Sequence, residues 1–305
     1  MYYIKIKGRK LMKELIFKGC GTAIATPFDE KGVNLQEFEK LVEDQIRNGV
    51  DALIVCGTTG ESSTMTQEEK LKVIESAVKV SNKRVPIIAG TGANNTRAVI
   101  EMNEKVEKLG VDGLLIVTPY YNKTTQEGLI MHYKAIAEKT KLPIIMYSVA
   151  GRTGMHILPK TCLELSKIPN IVAIKEASGN LSQVAEIAAL CGDDLVIYSG
   201  NDDQILPVLS LGGKGVISVL SHANPKMVHD MCYEFWAGNT DRAKELQLKS
   251  IPLVNALFSE VNPIPVKAML NMMGYNFGIP RLPLIEMSEQ GKEKLKKEFD
   301  IFSKD

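Results

Sequence analysis

The chain of 305 residues is 45% apolar and 24% charged, enough for one large domain with a substantial core or for two of average size. Its formal net charge of +1, with acids and bases interspersed along the whole length, argues against nucleic acid as a partner. No apolar run approaches the roughly 18 to 20 residues that a membrane span needs, so no membrane partner is expected either.

The opening "MYYIKIKGRKLMKELIFKG" is basic, with scattered charges and no small-residue cleavage site, so no secretion signal is read. Residues 1–14 are expected as an N-terminal tail, with 1–11 an upstream start or a loose extension, because Met12 begins a stretch running into the first apolar run. Eight apolar runs follow: "GTAIATPF" (21–28), "ALIVCG" (52–57), "PIIAGTG" (86–92), "GLLIVTP" (113–119), "PIIMYSV" (143–149), "IVAIKEAS" (171–178), "LVIYSG" (195–200) and "GVISVL" (215–220). Each is nearly continuous in Val, Ile, Leu and Ala, as expected of a parallel strand covered on both faces.

Amphipathic segments lie between them and carry start signals. Asn34 with Glu37, and Thr66 with Glu69, have cap spacing, and Leu71, Ile74 and Val78 share a face. Gly49, Gly110 and Pro169 end helices where the next strand should begin. Eight β–α units over about 200 residues predict a closed (β/α)8 TIM barrel of the α/β class at 15–238. "GTGANN" and "GGKG" match neither a dinucleotide nor a Walker spacing and read as tight loops. After 238 the strand rhythm stops, and 239–305 is expected as a C-terminal helical region packed on the barrel.

Cys20, Cys56, Cys162, Cys191 and Cys232 are odd in number and form no C-x-x-C pair, which suits buried thiols in a reducing cytoplasm. The four histidines are dispersed, and "HANPKMVH" has neither a carboxylate nor the spacing of a zinc helix; no metal is expected.

In a barrel of this kind reactive groups sit at the C-terminal ends of strands and in the loops after them. "CGTTGES", "TPYYN", "MYSVAGRTG", "IKEASGN" and "SGNDD" all fall there. Lys175 is a cation inside an apolar strand. Burying an ammonium costs several kcal/mol unless it is paired, and desolvation favours the neutral amine, which attacks ketones. Position alone leaves two readings open, a lysine paired with a buried carboxylate and a nucleophile.

Glu176 does not decide between them, since adjacent strand residues face opposite ways. Tyr147 ends the neighbouring strand and is either core or a phenol that exchanges protons with an amine in the lumen. Thr58 and Thr59, in a glycine-flanked turn, suit either a helix cap or a cradle for a small carboxylate. Arg152 offers a fork for a carboxylate or a surface ion pair. Tyr120 and Tyr121 form an exposed doublet that suggests an interface or a lid.

With "GVISV" and "NPIPVK", these motifs stand in the order and spacing of the pyruvate-dependent class I aldolases of the dihydrodipicolinate synthase family, which the chain resembles from about Phe17 to Leu284. The resemblance implies that Lys175 forms a Schiff base with pyruvate. Tyr147, Thr58 and Tyr121 would then form a proton relay, with Tyr121 delivered from a neighbouring subunit. Thr58 and Thr59 would hold the pyruvate carboxylate, Gly200 and Ile217 would shape the pocket, and Arg152 would bind aspartate semialdehyde.

It further implies a homodimer at minimum, commonly a homotetramer, and no cofactor, because the lysine imine is itself the electron sink. Sister aldolases that cleave N-acetylneuraminate or sugar acids usually lack the arginine. A barrel without turnover, acting as a sensor, would not need the relay.

Two departures stand out. The family's Tyr-Asn-Val-Pro is here Tyr147-Ser148-Val149-Ala150, which frees a backbone N–H and a φ angle before Arg152. The family's lysine-effector positions fall on Ser62, Asn94 and Tyr120, with Lys70 and Ala98 replacing a histidine and a glutamate, so a degenerate effector site and weak or absent lysine inhibition are expected.

Overall fold

A computed structural model describes residue 13 and residues 15–304; the expectation for 1–11 lies outside them. Ten strands occur in chain order: β1 (Gly19–Ala23), β2 (Phe28–Asp29), β3 (Gly32–Val33), β4 (Ala52–Val55), β5 (Ile87–Gly90), β6 (Gly113–Val117), β7 (Ile144–Ser148), β8 (Ile171–Glu176), β9 (Val196–Ser199) and β10 (Gly215–Ser218). Eight of them, β1 and β4 to β10, are parallel neighbours in a closed barrel, sealed where β1 pairs with both β4 and β10. Helices alternate with the strands outside, as the pattern of continuous apolar runs predicts.

The first run differs from its expected span of 21–28. Its strand begins at Gly19 and ends at Ala23, while Phe28 pairs antiparallel with Val33 in a small ribbon. Pro27 has no N–H to give a ladder, and the Phe28 amide donates instead to the Phe277 carbonyl at 3.1 Å. The other runs end a residue or more early where loop geometry takes over. Cys56, immediately after β4, lies at φ 58°, in the left-handed region that a strand cannot continue through.

The caps form as their spacing suggests. The Asn34 side chain accepts from the Glu37 amide, and Thr66 and Glu69 make a reciprocal capping box at the start of the helix Gln67–Ser81. The C-terminal region contains the helices Thr240–Leu257, Ile264–Met272 and Glu289–Phe302. The first packs on the helix Pro225–Trp236, which follows β10, and on Glu289–Phe302.

Two apolar regions result. One fills the space between strands and helices; the other is the barrel lumen, with Ile54, Ile88, Leu115, Ile145, Val172 and Ile217. Phe17 and Tyr198 stack at 4.2 Å across the lumen, and the Tyr198 hydroxyl donates to the Phe17 carbonyl at 2.6 Å. That pair closes the end opposite the loops following the strands.

The β1–β10 seam carries a histidine as a strut. His222 is fully buried; its Nδ1 lies 2.8 Å from the Val219 carbonyl, and its Nε2 accepts from the Ala25 amide at 3.0 Å. Those partners demand a neutral ring with the proton on Nδ1, and burial lowers its pKa to about 4. The folded value lies below the unfolded one of about 6.5, so this contribution is complete above pH 6.5 and is lost as pH falls toward 4. Urea unfolding at pH 7 and pH 4.5 tests this. His222→Asn should lose less stability over that interval than the wild type, by on the order of 2 kcal/mol.

Candidate active site

Parallel register sets the place of Lys175. Tyr147 of β7 pairs with it on one side and Tyr198 of β9 on the other, so all three positions face the lumen. Lys175 is 6% exposed, and its Nζ lies 4.4 Å from the centre of the Tyr147 ring. Among the described residues no carboxylate stands within ion-pair distance of that nitrogen, which sets the paired-lysine reading aside. Glu176 faces the helices instead. Ser178 and Gln183 hold its carboxylate, and burial raises its pKa above the ordinary range.

The nearest interior acid is Asp202, just after β9. It is fully buried and accepts from the Ser218 hydroxyl at 2.5 Å and from the Val219 and Leu220 amides at 2.9 Å each. The carboxylate therefore fixes the loop after β10, next to Ile217, and reaches Lys175 only as a field. Burial raises its pKa, and those hydrogen bonds and the Lys175 charge oppose the rise.

Gly200 makes room for the lysine. A Cβ there would lie 2.5 Å from Ala177 Cβ and 3.1 Å from Lys175 Cε. Its amide donates to the Glu176 carbonyl at 2.7 Å, so the backbone has no freedom to retreat.

Thr58, Val149 and Arg152 help to line a cavity of about 350 Å³ whose lining does not include Lys175 or Tyr147. Ser62, Lys70, Ala98 and Tyr120 line the same cavity. The rim expected to bind substrate and most of the expected effector positions therefore share one space. Asn94 joins them through its Nδ2, which donates to the Tyr120 carbonyl at 3.1 Å. The lining includes Lys70 and Arg152 and no carboxylate, so the space attracts anions.

Thr59 is buried below the turn, where its hydroxyl accepts from Asn262 Nδ2 at 3.0 Å. Arg152 Nη2 donates to the Asn262 backbone carbonyl at 3.3 Å. One C-terminal residue thus braces both the threonine turn and the arginine. In the sequence, Asn262 is marked only as the first residue of "NPIPVK".

Arg152 sits in the short helix Ala150–Thr153, with Ala150 at its first position. A proline fits that position without loss of a helical hydrogen bond, which accounts for the resembled family's preference there. Here the loop is pinned elsewhere, by the Ser148 hydroxyl accepting from the Ile157 amide at 3.2 Å.

Tyr121 is not brought to the lysine. Its side chain is 87% exposed, and its backbone lies at φ 68°, which directs it away from its own barrel.

The chain is similar to known proteins over nearly its whole length. The profile of the "Dihydrodipicolinate synthetase family" matches residues 16–301. The "4-hydroxy-tetrahydrodipicolinate synthase 1" of Clostridium acetobutylicum is 54% identical over 281 residues, covering 92% of this chain and 96% of that protein. The crystal structure of dihydrodipicolinate synthase from Thermotoga maritima superposes with a TM-score of 0.93 at 43% identity, covering 95% and 99% of the two chains. The enzyme from Cyanidioschyzon merolae, solved with lysine bound, superposes at 0.93 and 39% identity, over 95% and 99%.

Gly200→Ala tests the packing around the lysine. It should slow borohydride-trapped imine formation between Lys175 and a small ketone by at least about tenfold, read by intact-mass spectrometry.

Proposed function

The chain belongs to the dihydrodipicolinate synthetase family, and we propose that Lys175 is the nucleophile through which it condenses pyruvate with L-aspartate 4-semialdehyde. The product is 4-hydroxytetrahydrodipicolinate, and the reaction is the first committed step of diaminopimelate and lysine biosynthesis. The observation that carries the assignment of Lys175 is its burial in an apolar lumen beside Tyr147 without a carboxylate partner.

Lys175 Nζ attacks C2 of pyruvate, and the carbinolamine loses water to give an iminium. That cation draws electrons from the adjacent C–H bond, so a methyl proton leaves and an enamine forms. The enamine carbon adds to the semialdehyde's aldehyde carbon, and the new alkoxide takes a proton. The amine of the semialdehyde then attacks the imine carbon, displaces Lys175 and closes the six-membered ring. The net stoichiometry releases one water.

Tyr147 stands where a phenol can exchange protons with the carbinolamine, and Thr58 extends that relay toward the cavity. Thr58 and Thr59 hold the pyruvate carboxylate, while Gly200 and Ile217 shape the floor. Arg152 takes the semialdehyde carboxylate, which is supported by its place on the cavity wall and its brace from Asn262.

Tyr121 completes the relay of a second subunit, a role that fits a tyrosine left exposed by its own chain. The working unit is then a homodimer, assembled further into a homotetramer. The five free thiols are all buried, in keeping with a reducing cytoplasm. No helix among the described residues is long and apolar enough to cross a membrane.

Borohydride reduction with pyruvate should add one trapped pyruvate per chain to the wild type and none to Lys175→Ala, whose kcat/KM should fall at least about a thousandfold. A coupled assay with aspartate semialdehyde should show turnover, with none for sugar acids. Preference for a sugar acid would reassign the substrate.

Lysine regulation is expected to be weak. Ala98 supplies no carboxylate for the ligand ammonium, and Lys70 adds a like charge. Loss of one charge-assisted hydrogen bond of about 2 kcal/mol weakens binding roughly thirtyfold. The rate should be unchanged up to about 1 mM L-lysine; inhibition below that would contradict the reading.

A further inference from the structure

Lys267 and Glu61 are a buried ion pair that the reaction scheme does not use. Lys267 lies in the helix Ile264–Met272 and Glu61 in the turn after Thr58–Thr59. Their Nζ and Oε1 are 2.7 Å apart, with side chains 1% and 0% exposed. The other carboxylate oxygen accepts from the Arg281 amide at 3.0 Å. Phe28 lies beneath both cations, 4.3 Å from Lys267 Nζ and 4.0 Å from the Arg281 guanidinium.

The turn that this pair grips is a strained one. Glu61 is at φ 53°, a left-handed conformation costing about 1 kcal/mol or more for a side chain of this kind. Its amide donates to the Thr58 carbonyl at 3.1 Å, so the place of Glu61 sets the place of Thr58. On the far side of the turn, Arg281 forks onto Glu69 at 2.6 and 2.9 Å and donates to the Thr64 carbonyl at 3.2 Å.

A buried ion pair is a poor source of net stability, because desolvating both charges offsets most of their attraction. Burial lowers the Lys267 pKa, and Glu61 opposes that shift. What such a pair does supply is position. Moving the Glu61 carboxylate away would strand one charge in an apolar site, so the turn is held in one place more firmly than apolar contacts would hold it.

We infer that Lys267 and Glu61 are positioning residues for pyruvate, a latch by which the C-terminal helical layer sets the Thr58–Thr59 turn. The inference rests on the reading that this turn holds the pyruvate carboxylate. Asn262 acts in the same sense from just before that helix, through Thr59 and Arg152. The C-terminal layer is thereby part of the binding apparatus.

Glu61→Gln with Lys267→Met removes both charges together, and Glu61→Asp keeps the charge while shortening the reach. In each folded variant the pyruvate KM should rise about tenfold while kcat stays within about threefold and borohydride trapping at saturating pyruvate stays complete. A purely structural pair would instead lower the thermal midpoint and leave KM at its wild-type value, and that result overturns the inference. If the double variant does not fold, Glu61→Asp decides on the same criterion. Thr59→Val separates the two levels: an unchanged pyruvate KM there removes the carboxylate-cradle reading itself, whereas a raised KM there with an unchanged KM in the latch variants removes only the latch.

Discussion

A buried amine with no carboxylate among the described residues within ion-pair reach is the constraint around which the rest of this molecule is arranged. Lys175 enters the lumen between Tyr147 and Tyr198 because parallel register pairs its strand position with theirs. The acids nearby are occupied elsewhere. Glu176 faces outward to Ser178 and Gln183, and Asp202 spends its oxygens on Ser218 and two backbone amides. The amine is left with the aromatic face of Tyr147 and the field of Asp202.

The remaining elements serve access to that nitrogen. Phe17 and Tyr198 fill the far end of the lumen, away from the loops that follow the strands. The cavity at those loops is lined by cations and hydroxyls, which suits two substrates that each carry a carboxylate. Of the five non-glycine residues with positive φ among the described residues, Cys56, Glu61 and Tyr121 lie in these loops, whereas Asn82 and Lys83 follow the helix Gln67–Ser81. Each of those three sits where tertiary contacts or an assembled partner can repay the cost of that conformation.

The C-terminal region is tied to the turn that carries Thr58 and Thr59. Lys267 reaches it from the helix Ile264–Met272, and Asn262 and Arg281 from the connections on either side of that helix. Arg152 is thereby held although Ala150, and not a proline, precedes it in its helix. The arginine is braced from across the molecule and does not depend on a proline beside it.

Much of this was legible in the chain itself. Continuous apolar runs of strand length, cap residues at the right spacing and polar motifs confined to one end of each run determine a parallel barrel and the end where chemistry happens, because burial periodicity and capping are local properties. Lys175 was visible as an anomaly for the same reason. Its lack of a partner was not, since no local pattern says where a distant carboxylate points. The first strand was misplaced because the competing bond from Phe28 runs to Phe277, some 250 residues away. The Lys267–Glu61 pair joins positions 206 residues apart, and only closure of the barrel with its C-terminal layer brings them within 2.7 Å. Sequence determined which groups were available; the tertiary structure decided which were neutralised and which were left to react, because pairing of buried charge depends on neighbours that the chain order does not reveal.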